Sequence, residues 1–175
     1  MTRTKVLLSW LFSTGLVAIT AGQSWQSFEV SESAGGGVIQ ITGFLAFPVI
    51  GTLISLQVVI ILVTLLVNPI VTRVLAAAIL PLMIWSLFEV VLTSEKQVRE
   101  TLVSVLAAQT GVVQEPSTSE FLVSSSVGVF TTLFLIGAAL NALVLAFVAL
   151  IPIENQKPKA AKSKREPEDL WSSQN

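Results

Sequence analysis

The sequence predicts an all-α integral membrane protein: a four-helix transmembrane bundle with a short amphipathic external helix and a disordered cytoplasmic tail. Three observations lead to this fold class. Of the 175 residues, 53% are hydrophobic and only 12% are charged, whereas soluble domains carry roughly 25% charged residues. The apolar residues are collected in four long runs, and most of the basic residues lie at particular ends of those runs. So few charges cannot cover a water-facing surface.

The four apolar runs cover approximately residues 5–22, 44–67, 70–92 and 127–153. About 20 helical residues cross a bilayer core of about 30 Å, and all four runs are long enough, the first only narrowly. Continuous apolar runs indicate helices, because a membrane-spanning strand would show alternating stretches of about 10 residues. Residues 1–153 therefore form the predicted membrane domain, and residues 154–175 form a polar tail.

The first run has a second interpretation. Arg3 and Lys5 before an apolar stretch are also typical of a cleaved signal peptide. Cleavage requires small residues in an A-x-A-like arrangement, and Ile19 occupies one of those positions before Ala21. We therefore expect a retained helix.

The distribution of basic residues predicts the orientation. Three segments that four spans would place on one side of the membrane hold eight of the ten Lys and Arg residues: Arg3 and Lys5, Arg73, and five in the tail. Cytoplasmic loops carry an excess of Lys and Arg. Both termini are therefore expected in the cytoplasm.

Two loops are predicted outside the membrane. In the first, residues 23–43, the glycines Gly35–Gly37 lie between alternating flanks, which favours a short hairpin. In the second, residues 93–126, Ser94 with a Gln three positions later, followed by apolar residues at helical spacing, predicts an amphipathic helix over residues 95–109. That helix either lies on the outer membrane surface or packs over the mouth of the bundle, and its apolar stripe favours the second arrangement.

The tail is basic at first and then acidic. It contains prolines and few apolar residues, so we expect it to be disordered in isolation, with a basic cluster that can contact anionic lipid. Asp169, Leu170 and Trp171 form a candidate docking motif, since Trp is a common anchor in interfaces. The alternative is that Trp171 enters the membrane interface.

Three polar residues within the predicted spans are candidates for a function: Gln57, Glu89 and Asn141. Gln57 and Asn141 lie at similar predicted depths, so each could bond to the other or to a backbone carbonyl and fix the helix register. We favour that role over transport. Glu89 lies about one turn from the external end of its helix and is either an ordinary interfacial acid, which we favour, or a group that handles protons or cations.

Small residues and one proline shape the predicted helix packing. Ala138 and Ala142, like Thr14 and Ala18, lie four positions apart and allow helices to approach closely in lipid. This pattern predicts a compact bundle, with self-association of the chain as the alternative. Pro81 lies in the middle of the third run and predicts a kink.

Several chemistries are absent from the sequence. With no Cys and no His, disulfides, thiol nucleophiles, His-dependent triads and zinc sites with His ligands are excluded. Only one carboxylate lies at membrane depth, so a catalytic acid pair is excluded there. Secondary transporters usually combine broken helices in matched halves with several convergent polar groups, whereas this chain offers one kinked helix and two amides. We expect no catalytic residue, no cofactor and no metal site.

Four short motifs resemble those of a known family. Ser24-Trp25 after the first span, Gly43 before the second, Arg73 in the predicted cytoplasmic turn and Glu168-Asp169-Leu170-Trp171 in the tail occur together. This layout, over nearly the whole chain, is similar to the tryptophan-associated transmembrane proteins, small multispan proteins of actinobacteria encoded beside tryptophan biosynthesis genes. The resemblance implies a bacterial plasma-membrane protein without an established biochemical activity, linked to tryptophan metabolism by genomic context.

We therefore expect a non-enzymatic multi-pass membrane protein that acts as an accessory or scaffold factor. The alternative is a small transporter or channel subunit for a solute such as an amino acid. That alternative requires Gln57, Glu89 and Asn141 to face one water-accessible cavity. The expected partners are the lipid bilayer, a membrane or cytoplasmic protein bound through the tail, and a second copy of the chain, with no nucleic acid.

Overall fold

Long helices dominate the fold, and a small sheet caps one end of them. The computed structural model describes residues 3–31, 36–110 and 122–150. In chain order the elements are α1 (Arg3–Gly22), β1 (Ser24–Val30), β2 (Gly37–Thr42), α2 (Gly43–Ala46), α3 (Pro48–Leu66), α4 (Pro69–Thr110), β3 (Leu122–Val127) and α5 (Phe130–Leu150).

Four helices, α1, α3, α4 and α5, are long and apolar enough to cross a membrane. The four predicted runs are therefore confirmed as long helices, although the last begins at Phe130 rather than at residue 127. The second run, predicted as one helix over residues 44–67, is divided at Phe47 into α2 and α3, because a residue before a proline disfavours the helical conformation. In the most apolar stretch of each, only 28% to 44% of the residues are buried inside the protein. The remaining apolar side chains form the outer surface of the bundle, and a surface this apolar is typical of a protein surrounded by lipid.

The length of α4 departs most from the sequence prediction. We predicted one helix over residues 70–92 and a separate helix over residues 95–109, but the structure has a single helix of 42 residues. Ser94 does not begin a new helix, because the chain has no Gly or Pro between Pro81 and Gly111 to end the first one. At 1.5 Å per residue α4 is about 63 Å long, about twice the thickness of a bilayer core.

A single buried stripe explains how α4 can be so long. Its buried residues recur mostly three or four positions apart along the whole helix: Thr72, Ala76, Ile79, Met83, Ser86, Val90, Val98, Leu102 and Leu106. The outer three belong to a hydrophobic cluster with Trp25 and Phe28 of β1. The apolar stripe of residues 95–109 therefore packs against the protein, which was the arrangement we favoured.

The sheet is antiparallel, with strand order β2-β1-β3. The pairing of β1 with β2 confirms the predicted hairpin, and Gly37 has a φ of 109°, a conformation that only glycine adopts readily. The third strand was not predicted, so the all-α class is correct only for the bundle. Residues 122–127 read LVSSSV, and three successive serines give no alternation from which a strand could be recognised.

Trp25 joins the sheet to the helices. Its indole N–H donates to the carbonyl of Thr20 at 3.0 Å, and its ring lies 4.9 Å from the ring of Phe134 and 6.0 Å from that of Phe47. Gly43 lies against the same ring so closely that a Cβ there would be 2.3 Å from a ring carbon. The ring therefore requires glycine at this position. We call this end of the bundle the sheet end.

Two arginines close the opposite end, which we call the arginine end. Arg3 donates to the carbonyls of Thr64 and Val67, the latter at 2.7 Å. Arg73 donates to the carbonyls of Ala149 and Leu150 at 3.1 and 3.3 Å. The last carbonyls of a helix have no partner within it and carry partial negative charge. Each arginine thus caps the C-terminal end of a neighbouring helix, α3 or α5.

The continuity of α4 can be tested by a distance measurement. The chain has no cysteine, so spin labels on Trp85→Cys and Ser104→Cys would be the only labels present. A continuous helix places these two Cα atoms about 29 Å apart, and double electron–electron resonance should give a single narrow distribution near that value. A broad or much shorter distribution would mean that the helix breaks near residue 94.

Candidate functional site

A cluster of polar side chains lies at the centre of the bundle. We call it the polar cluster, and it comprises Trp10, Ser13 and Thr14 of α1, Gln57 of α3, Met83 of α4 and Asn141 of α5. All six are buried, and Gln57 and Asn141 have 0% exposure. The cluster therefore connects all four long helices through side chains that have no access to solvent.

Gln57 lies at the centre of these contacts. Its Oε1 accepts from the indole N–H of Trp10 at 3.0 Å and from the hydroxyl of Thr14 at 3.0 Å. Its Nε2 lies 2.9 Å from the sulfur of Met83. The indole N–H can only donate, so it fixes which end of the amide faces α1. The weaker acceptor, a thioether, is left for the amide nitrogen.

Asn141 completes the connection to α5. Its Nδ2 donates to the hydroxyl oxygens of Ser13 at 3.0 Å and Thr14 at 3.2 Å. Ser13 in turn donates to the carbonyl of Trp10 at 2.9 Å. Thr14 has one proton and two acceptors within reach, the carbonyl of Trp10 at 2.9 Å and Oε1 of Gln57, so these acceptors share it. Among the described residues, Oδ1 of Asn141 has no hydrogen-bond partner.

The structure brings Gln57 and Asn141 together, but not as a direct pair. The sequence predicted that each would bond to the other or to a backbone carbonyl. Instead the hydroxyl of Thr14 lies between them, accepting from Asn141 and facing Oε1 of Gln57. The reason is α1, whose polar face lies against both amides.

Glu89 does not join the polar cluster. It lies six residues beyond Met83 on α4, which is about 9 Å along the helix axis towards the sheet end. Its Oε2 is buried and has no hydrogen-bond partner among the described residues, while its backbone carbonyl accepts from the hydroxyl of Thr93 at 2.7 Å. The other candidate residues, Asp169, Leu170 and Trp171, lie outside the described part of the chain.

The polar cluster consists entirely of neutral groups. Amides, hydroxyls, an indole and a thioether do not titrate in the physiological range, so the cluster has no acid or base with which to relay a proton. No group of three acidic residues that could hold a metal occurs within the described ranges. The cluster is thus chemically suited to holding helices together.

One small cavity adjoins the polar cluster at Met83. This cavity, of about 10 Å³, lies towards the sheet end, between Leu53, Met83, Ser86 and Ala138 among others. A cavity needs about 10–15 Å³ to hold one water molecule. The cavity is therefore far too small for an amino acid or a hydrated ion.

A larger cleft opens at the sheet end, between the sheet and the outer part of α4. Its volume is about 530 Å³. Phe28 and Leu102 are its buried apolar members. Polar and charged side chains complete the lining: Gln26, Ser125, Glu95, Lys96 and Arg99. Its charges lie on one helix face, and one of them, Lys96, is 3.7 Å from Glu100 in an exposed pair.

The chain was compared with known families, curated proteins and solved structures, and none of them matches it.

Sequence reasoning missed the part of the polar cluster that α1 supplies. It treated Thr14 only as a small packing residue and did not single out Trp10 or Ser13. A usable signal was present, because α1 has the lowest hydropathy of the four spans, 1.4 against 2.2 to 2.7. Trp10, Ser13 and Thr14 also share one helix face by their spacing. A polar face on a membrane helix is expected to point into the bundle.

A double-mutant cycle tests whether the polar cluster holds the bundle together. Gln57→Leu leaves the indole N–H of Trp10 without an acceptor, so we expect the free energy of unfolding to fall by about 1–2 kcal/mol. The double variant that also carries Trp10→Phe has no unpaired donor. Its loss of unfolding free energy should therefore be smaller than the sum of the losses in the two single variants, by about 0.6 kcal/mol or more. Unfolding in mixed micelles measures these differences.

The matched control is Ser55→Ala on the same helix. Among the described residues, the hydroxyl of Ser55 bonds only to the carbonyl of Gly51 in its own helix, and it is exposed. Its removal should change stability by less than about 0.5 kcal/mol. If the losses of unfolding free energy in Gln57→Leu and Trp10→Phe were strictly additive, the hydrogen bond between Gln57 and Trp10 would contribute nothing to stability.

Proposed function

We propose that this chain is a non-enzymatic multi-pass membrane protein of the accessory or scaffold type, which holds an ordered head on a closed bundle and carries no solute by itself. The head comprises β1, β2, β3 and the part of α4 beyond Val90. The observation that supports the proposal most is the polar cluster. Its two amides have 0% exposure and are bonded within the bundle, whereas a carrier needs polar groups that a solute can reach.

The proposed location is a bacterial plasma membrane, with the arginine end in the cytoplasm and the head outside. The positive-inside rule supports this orientation, since Arg3, Lys5 and Arg73 belong to the arginine end. The four described acids, Glu29, Glu89, Glu95 and Glu100, all lie towards the sheet end.

The proposed partners meet the chain at two places. Outside, the head presents the mixed-charge cleft and an exposed hydrogen bond between Ser124 and Glu29. Inside, Asp169, Leu170 and Trp171 are the proposed docking motif. The association with tryptophan biosynthesis is part of this proposal through the family resemblance. Three of the four motifs that carry the resemblance have structural roles in this chain. Trp25 packs against Gly43, and Arg73 caps α5.

One observation favours the alternative, a small transporter or channel subunit. Oδ1 of Asn141 and Oε2 of Glu89 are buried acceptors without partners among the described residues. Such atoms are costly in an apolar surrounding and would acquire partners if a second conformation opened a path between them.

Solute uptake into liposomes distinguishes the two functions. The purified full-length chain should take up labelled tryptophan, other amino acids and monovalent cations no faster than protein-free liposomes. The scaffold proposal fails if uptake is saturable, is abolished by Asn141→Ala or Glu89→Gln, and survives in the control Ser55→Ala. The two variants alter the unpartnered acceptors, whereas the control alters an exposed hydroxyl bonded within its own helix.

A further inference from the structure

A groove runs along the outside of the bundle between α1 and α3, starting at the arginine end. Its volume is about 410 Å³. Leucine, isoleucine and valine side chains of the two helices line it, and Arg3 lies at its mouth. Leu7 and Ile61 are buried and form the floor, whereas Leu8, Leu11 and Leu62 are exposed. The groove is therefore open towards the surroundings of the bundle rather than towards its interior.

The length of the groove matches one leaflet of a bilayer. From Arg3 to Leu11 the groove extends about 12 Å along α1, at 1.5 Å per residue. One leaflet contributes about 15 Å to the hydrocarbon core. An acyl chain lying in the groove would thus have its polar head at the level of Arg3.

The charge at the mouth of the groove is positive and only partly engaged. One nitrogen of the Arg3 guanidinium donates to the carbonyls of Thr64 and Val67. A guanidinium has five N–H donors in a planar fork, so the remaining nitrogens keep donors for another acceptor. No described acid lies at this end of the bundle, because Glu29, Glu89, Glu95 and Glu100 all lie towards the other end.

We propose that this groove is a binding site for one anionic glycerophospholipid in the leaflet at the arginine end. An acyl chain lies along Leu8, Leu11 and Leu62, and the phosphate accepts hydrogen bonds from the free nitrogens of Arg3. The carbonyls of Thr64 and Val67 hold the guanidinium in place at the mouth, so little side-chain freedom remains to be lost on binding. The lipid headgroup supplies the negative charge that the described residues do not. This site does not depend on whether the bundle carries a solute.

Native mass spectrometry of the full-length chain in detergent tests the site. The probes are phosphatidylglycerol and phosphatidylcholine with identical acyl chains. The unaltered chain should bind the anionic lipid at least about fivefold more tightly, since one basic residue near anionic lipid contributes about that factor. Arg3→Gln should lower this preference about fivefold, leaving only what the basic tail contributes. The controls Lys5→Gln and Arg73→Gln each remove one positive charge from the same end, and neither residue lines the groove, so both should retain the preference.

A groove-filling variant guards against loss of folding in Arg3→Gln, whose side chain also caps α3. Leu62→Trp keeps Arg3 and places a large ring in the groove, so binding of the anionic lipid should weaken severalfold. The proposal is overturned if both lipids bind equally to the unaltered chain, if the Lys5 and Arg73 variants lose the preference as Arg3→Gln does, or if Leu62→Trp binds normally. Efficient disulfide cross-linking of the single-cysteine variant Leu62→Cys in membranes would also overturn it, because a second copy of the chain would then occupy the groove.

Discussion

The amide oxygen of Gln57 holds the bundle in register. It accepts from two side chains of α1, and the contacts extend through Thr14 to Asn141 of α5 and through the amide nitrogen to Met83 of α4. Neighbouring helices surrounded by lipid gain no hydrophobic driving force from association, so packing and interhelical hydrogen bonds must set their alignment. A slip of α1 by one residue would remove Trp10 and Thr14 together from the amide. The polar cluster therefore determines how the helices align with one another more than it adds to the total stability of the protein.

The two ends of the bundle are fixed by different means. At the arginine end, Arg3 and Arg73 satisfy the last carbonyls of α3 and α5, groups that lipid could not satisfy. At the sheet end, Trp25 lies between the rings of Phe47 and Phe134 and the backbone of Gly43. Helix α4 extends beyond the sheet end of the bundle, and its buried stripe packs Leu102 and Leu106 against the sheet. This arrangement supports the sheet rigidly, and it agrees better with the proposed scaffold role than with a carrier role.

The sequence was sufficient to predict the four long apolar helices and the hairpin, because hydropathy and glycine placement are local properties. It was insufficient where tertiary contacts override local signals. Ser94 has the pattern of a helix start, yet the helix continues because nothing breaks it. The strand at residues 122–127 has no strand pattern, yet it pairs with β1 along its length, and Gly128, directly after it, donates to the carbonyl of Trp25. For the candidate site, Gln57 and Asn141 were identified from their cost in lipid, but their connection through α1 required knowledge of which helices are neighbours.

The most direct test of the closed polar cluster is exchange of the Trp10 indole proton. In uniformly ¹⁵N-labelled protein transferred into deuterated water, the indole N–H signals can be followed one by one. A closed cluster predicts that the Trp10 proton exchanges at least about 1000-fold more slowly than in a free peptide, equivalent to an opening free energy of about 4 kcal/mol. Exchange within about tenfold of the peptide rate would mean that water reaches Gln57 readily, and the account of a closed, structural cluster would then be wrong.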